Sequence, residues 1–108
     1  MSGLLYYNWH FMNLLLNTET KQQKILLQNL TASQVDLITE IFFNLGHVVD
    51  LNPEQEKFMK RHLKVIRELS KVNRSRKYRN TSIRKNASLI LKILNLVAAN
   101  IMKAGESF

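Results

Sequence analysis

Lys57, Lys60, Arg61, Lys64, Arg67 and Lys71 recur at helical spacing, and Arg74 continues it. Intervals of three and four place these side chains on one side of a helix. From Lys57 to Arg74 the stripe would run ~25 Å at 1.5 Å per residue. The chemistry such a row supports is the holding of oxyanions, phosphate above all. Like charges stacked one turn apart repel by a few tenths of a kcal/mol per pair, and only Glu68 interrupts them. Folding alone does not require that repulsion, and an external polyanion relieves it. Arg76, Lys77, Arg79, Arg84 and Lys85 extend the stripe. Tyr78, set among them, suits either stacking on a base or docking onto the core.

The imbalance is confined to one stretch. Between Lys57 and Lys85 lie twelve of the sixteen Lys and Arg residues and one acid, net +11, while the remainder has four cations and seven acids, net −3. Nucleic acid is the first partner this polarity implies, through backbone contacts. An acidic protein or an anionic membrane surface comes second. Residues Lys71–Arg79 also have the composition of a nuclear import signal.

Sequence-specific reading is not supported. A helix-turn-helix needs a short turn, and the stretch from Gly46 to Asn52 is longer than the standard one. No zinc-finger spacing is present.

The elements that must position the cations are helical. The chain has 108 residues, enough for one domain, with three Gly, one Pro and abundant Leu, Ile, Lys and Gln, a composition that favours helices over strands. Thr31-Ala32-Ser33-Gln34 has the capping-box form, and Val35, Ile38, Ile41, Phe42 and Leu45 follow on one face, with Gly46 as terminator. Asn52-Pro53-Glu54-Gln55-Glu56 opens a second helix, expected to reach about Val72. Its apolar side comprises Phe58, Met59, Leu63, Ile66, Leu69 and Val72.

Leu4–Leu16 and Glu19–Asn29 read as further helices, the first as an apolar N-terminal segment (1–17) at the periphery. Asn73–Asn80 reads as a basic joint, a loop or a single helical turn. A final helix is expected over Thr81–Lys103, where eleven of the fourteen residues from Leu89 to Met102 are apolar. From Ala87 to Ala104 there are eighteen residues, with Lys92 and two Asn among them. A membrane span needs about twenty predominantly apolar residues, so this helix is expected in a core or a self-association interface. The whole is an all-α bundle of four to five helices, its core drawn from Val35–Leu45, Phe58–Val72 and Leu89–Met102.

Other chemistry finds little support. The absence of cysteine excludes disulfides and thiolate metal sites and fits a reducing, intracellular compartment. His10, His47 and His62 form no pair at ligand spacing, and His62 lies beside an apolar face, where a partly buried, satisfied imidazole is expected. There is no Gly-rich phosphate cradle and no nucleophile motif. The expectation is a non-enzyme without cofactor or metal. The apolar N-terminus lacks the basic start of a secretory signal, and the four N-x-Ser/Thr triplets read as chance in an Asn-rich chain.

The middle of the chain carries a resemblance. Leu26-Leu27-x-Asn29-x-Thr31-x-x-Gln34 is followed by Glu40-Ile41-x-x-Asn44-Leu45 and by Leu51-x-Pro53-x-Gln55-x-Lys57. Then come Lys60-Arg61-His62-x-x-Val65-Ile66-Arg67-x-Leu69 and Ser75. In order and spacing this resembles short basic proteins of Polinton- and adintovirus-type viral or mobile DNA elements, over about Ile25 to Lys85. In that group the basic stretch often leads into a Gly-rich apolar tail, where this chain has Asn86-Ala87-Ser88-Leu89. The group's pattern does not reach the first eleven residues, and Met12 stands as an alternative start. The resemblance implies a virion- or genome-associated protein, placed in the host nucleus or the virion, with no defined activity. The leading expectation is therefore a viral or mobile-element accessory protein that binds nucleic acid through Lys57 to Lys85 without sequence preference. The alternative is a helical module whose apolar terminal helices dock to a capsid protein, to a second copy or to a membrane surface.

Overall fold

The computed structural model describes residues 3–45, 51–71 and 73–105, and within them the regular structure is entirely α-helical. Five rods account for it. The first is α1 (Gly3–Tyr7) continued by α2 (Trp9–Asn17), the second α3 (Thr20–Gln28), the third α4 (Ala32–Asn44). The fourth joins α5 (Pro53–Arg61) to α6 (Leu63–Leu69), and the fifth runs through α7 (Arg76–Lys85), α8 (Ala87–Leu96) and α9 (Ala98–Gly105).

The expected count of four to five helices is thus corrected to nine among the described residues, because three rods are broken. The breaks fall at Asn8, His62, Asn86 and Val97, whose φ lies between −103° and −115° and ψ between 12° and 24°. That is the sparsely populated bridge between helix and strand conformations. At Asn8 and Asn86 the cause is local. Each side-chain amide donates to the carbonyl four residues back, Leu4 or Ser82, at 2.9 Å, in competition with its own backbone N–H. At His62 the backbone N–H reaches back only three residues, to Met59 at 3.1 Å, which tightens the turn. The breaks are needed: the thirty residues of the fifth rod would extend ~45 Å if straight, whereas the molecule's longest dimension is 33 Å.

Both capping boxes form. Thr31 Oγ1 accepts from Gln34 N while Gln34 Oε1 accepts from Thr31 N, and Asn52 and Gln55 do the same at α5. Pro53 occupies the first helical position, with Glu54 and Glu56 in the first turn and Lys60 and Arg61 in the last. The helix dipole favours both placements. The Gly46 terminator and the connection through Asp50 lie outside the described residues, as does Val72 itself, but the helix expected to reach Val72 ends at Leu69, with Ser70 as its C-cap.

The core sits between α4 and the long fifth rod. Val35, Ile38, Ile41, Phe42 and Leu45 are all at most 2% exposed, as the single-face spacing requires, and Ile90, Ile93, Leu94 and Val97 belong to the same buried cluster, with α4 packed on α6 and α7 and α8 packed on α3. Two expectations fail here. The N-terminal segment is not peripheral: Leu5, Met12 and Leu15 are fully buried, with α1 against α4 and α2 against α3 and α9. Leu63, assigned to the apolar side of its helix, is 40% exposed and follows directly on the break at His62. His62 itself is half-buried, its ring 4.7 Å from that of Phe58.

The last rod also begins earlier than expected. Ser75 Oγ accepts from Tyr78 N at 3.1 Å, so the basic joint is helical from Arg76 onward. Nothing in Ser-Arg-Lys-Tyr supplies the Glu or Gln that marks a capping box, and the cap escapes notice in the sequence.

Buried amides pin the rods together. Gln55 Nε2 donates to Leu96 O at 2.9 Å and Asn100 Oδ1 at 3.3 Å, joining the start of α5 to the α8–α9 break. Gln23, 3% exposed, donates to Leu15 O at 2.8 Å and Asn95 Oδ1 at 3.1 Å. Gln55→Ala removes half a capping box and strands the Leu96 carbonyl. It is expected to lower the free energy of unfolding by about 2 kcal/mol, measurable by urea denaturation.

Candidate nucleic-acid interface

The twelve cations expected to contact phosphate fall into three groups. Lys57, Lys60 and Arg61 on α5 and Lys64 and Arg67 on α6 are exposed, and none has a carboxylate within ion-pair distance among the described residues. The break at His62 leaves them on the outer side of the rod because the residues facing inward, Met59, Ile66 and Leu69, are held by the core. Lys77 and Lys85 on α7 are likewise exposed and without an ion pair.

Five others are engaged inside the protein. Arg79 is the clearest correction. Its side chain is only 11% exposed, and it pairs with Asp36 at 3.0 Å. It also donates to Thr39 Oγ1 and to the Arg74 carbonyl, each at 3.1 Å. It fastens α7 to α4 and is not part of an outward face. Arg76, 61% exposed, donates from Nη2 to Asp36 Oδ2 at 2.9 Å and from Nε to both carboxylate oxygens at 3.3 Å. Lys71 pairs with Glu68 at 3.0 Å. Arg84 donates from Nη2 to the Gln28 carbonyl at 3.0 Å, an uncharged acceptor that leaves its charge unneutralised. Arg74 lies 5.1 Å above the Tyr78 ring, a cation–π contact.

The electrostatics follow the geometry. Hydrogen bonding from Arg76, reinforced by the charges of Arg76 and Arg79, holds the Asp36 carboxyl below its ordinary value against the opposing effect of burial. Hydrogen bonds from Tyr78 first and Lys71 second lower Glu68 in the same way, and Tyr78 is correspondingly raised. The Tyr78 hydroxyl donates to Glu68, which ties α7 to α6. Tyr78 therefore neither docks in the core nor offers an open ring: it is 42% exposed, and Arg74 covers one face.

A cavity of about 320 Å³ opens between α1, α4 and α7, lined by Leu4, Asp36, Glu40, Phe43 and Arg79. Its charged lining is Glu40 and the Asp36–Arg79 pair, whose polar atoms meet each other at 3.0 Å. Among the described residues no group of three or more His, Cys, Asp or Glu is placed to hold a metal ion, and no helix is long and apolar enough to cross a membrane. The C-terminal apolar stretch is accounted for internally, with Ile90, Leu91, Ile93, Leu94, Val97 and Ile101 at most 3% exposed.

Further exposed cations lie outside the basic stretch. Lys21 and Lys24 on α3 and Lys92 on α8 are exposed, and α3 packs against α7 and α8. Their separation in sequence from residues 57–85 hid them. Comparison with protein-family models, curated proteins and solved structures returns no match to this chain.

Proposed function

We propose that the protein is a non-catalytic polyanion-binding module that engages nucleic acid through backbone phosphates, without reading sequence. The observation that carries this is the row Lys57, Lys60, Arg61, Lys64 and Arg67. These are five exposed cations on one rod, none within ion-pair distance of a carboxylate among the described residues, whereas Lys71, Arg76 and Arg79 in the same basic stretch are each paired. A solvated surface under no such demand would intersperse acids. The resemblance to proteins of Polinton- and adintovirus-type elements supports placing this activity with a viral or mobile genome, in the virion or the host nucleus.

Five phosphate contacts predict a log–log salt slope of about −4.5 or steeper for duplex DNA of arbitrary sequence, indifferent to which sequence is used. Gel-shift titration across a range of salt concentrations measures it. A slope near zero, or no binding at low salt, overturns the reading.

A second reading draws on α1–α2. Tyr6, Tyr7 and Leu14 are 62%, 83% and 54% exposed on a segment with no charged side chain before Glu19. That surface favours docking to a capsid or other protein, or to a second copy, and sedimentation of the Tyr7→Asp variant against the parent tests the latter.

A further inference from the structure

The α5–α6 rod is one edge of a broader surface. Hydrogen bonds join α3 to the fifth rod at both ends: Gln23 with Asn95 at one and Arg84 to the Gln28 carbonyl at the other. As α3 ascends from residue 23 to 28 the fifth rod descends from 95 to 84, so the two are antiparallel. The fourth rod is joined in the same sense, Gln55 to Leu96 and Glu68 to Tyr78. The α7–α8 rod therefore has α3 along one side and α5–α6 along the other.

The sides are distinct. At 3.6 residues per turn, Arg84, which touches α3, lies roughly 120° around α7 from Tyr78, which touches α6. Lys77, Thr81 and Lys85 fall inside that arc and are exposed. On α8, Ser88 and Lys92 fall between Asn95, which touches α3, and Leu96, which touches α5, and both are exposed. On the flanks, Lys21 and Lys24 stand outward on α3. Lys64 shares a line with Glu68, four residues on, and so sits at the α6 edge that meets α7.

We infer that this three-rod face is one binding site for double-stranded nucleic acid, with Lys21, Lys24 and Lys92 as contacts additional to the α5–α6 row. The inference rests on the polyanion-binding reading and goes beyond it in naming the duplex. A single row of cations follows one phosphate backbone. Here the contact lines to the outer rods stand roughly 120° apart around the middle rod, so at about 8–10 Å per interaxial spacing the outer rods lie roughly 14–17 Å apart across the exposed face, a separation comparable with the ≈ 12 Å major groove. That arrangement meets two backbones at once. The hydroxyls of Thr81 and Ser88, on the middle rod, add uncharged donors of the kind that bind phosphate oxygens.

The test compares the parent with Lys21→Gln/Lys24→Gln/Lys92→Gln, three exposed changes whose folding is verified by circular dichroism. A control, Tyr7→Glu/His10→Glu/Lys103→Gln, lowers the net charge by the same three but leaves the face intact. Each protein is titrated with a duplex and with a single strand of the same sequence over a range of salt. Losing three contacts should flatten the duplex salt slope by about 2.7 and weaken duplex binding at least tenfold. Single-strand affinity should change less than about threefold, and the control should match the parent on duplex. If the triple variant keeps the parent's duplex slope and affinity, or loses both substrates equally, the three-rod site is wrong and the α5–α6 row stands alone. Failure of the parent to bind duplex at low salt overturns both.

Discussion

Replacing Asp36 by Ala is expected to cost about 3 kcal/mol of folding stability, far more than a partly exposed acid in the first turns of a helix would suggest. The carboxylate is the shared partner of two guanidinium groups, one of which, Arg79, is 11% exposed. Removing one member of a largely buried ion pair leaves the other uncompensated in a medium that solvates it poorly. Thr39 and the Arg74 carbonyl still accept from Arg79, which keeps the loss at the lower end of the range for buried pairs. Arg76→Ala removes the more exposed arm and should cost under about 1 kcal/mol. Urea denaturation of the two variants at neutral pH decides between a clamp and an ordinary surface bridge, and equal small losses exclude the clamp.

The pH dependence has a definite sign. Asp36 binds its proton less readily in the folded chain than in the unfolded one, since its value is lowered from 3.8. Its contribution is therefore complete above that value and is lost as pH falls through the folded one. The stability gap between the parent and Asp36→Ala should be flat from neutrality down to about pH 5 and narrow below about pH 4. A gap that widens in acid excludes this account.

What the sequence discloses and what it conceals divide along interaction range. Thr31 with Gln34, and Asn52 with Pro53 and Gln55, announce two helix starts because every partner lies within one turn. The face Val35–Ile38–Ile41–Phe42–Leu45 is legible for the same reason, since periodicity alone selects its buried side. The tie between Asp36 and Arg76 crosses forty residues, and nothing near Asp36 distinguishes it from any solvated acid. Ser75 was hidden by its neighbours: a cap set in Arg74-Ser75-Arg76-Lys77 reads as part of a basic joint. The broken rods were partly legible. Asn8 and Asn86 carry side chains able to compete for helical carbonyls, and both do so, whereas the side chains of His62 and Val97 give no such signal. Of the candidate site, the α5–α6 row was readable from spacing. The removal of Arg79 from the outward face and the packing of α3, with its exposed Lys21 and Lys24, beside α7 and α8 depend on which rods lie side by side, and spacing along the chain does not encode that.

Neutralising Lys57, Lys60, Lys64 and Arg67 together, each to Gln, is expected to weaken duplex binding by about 10³-fold at ~0.1 M salt. The magnitude comes from counterion release. If affinity varies as salt concentration to the power −0.9 per phosphate contact, each contact contributes about eightfold at 0.1 M relative to 1 M, and four contacts multiply to a few thousand. Folding should be untouched, because all four side chains are exposed and none is paired. The informative comparison is Lys71→Gln with Arg76→Gln. By sequence these two belong to the same basic stretch, but each already holds a carboxylate, so a phosphate would have to displace Glu68 or Asp36 to reach them. Their joint loss should reduce affinity less than about tenfold. A row of free charges predicts this inequality, whereas an undifferentiated basic stretch predicts losses that scale only with the number of cations removed. If the two variants fall on one line of affinity against net charge, binding is a property of overall charge and the α5–α6 row has no special standing.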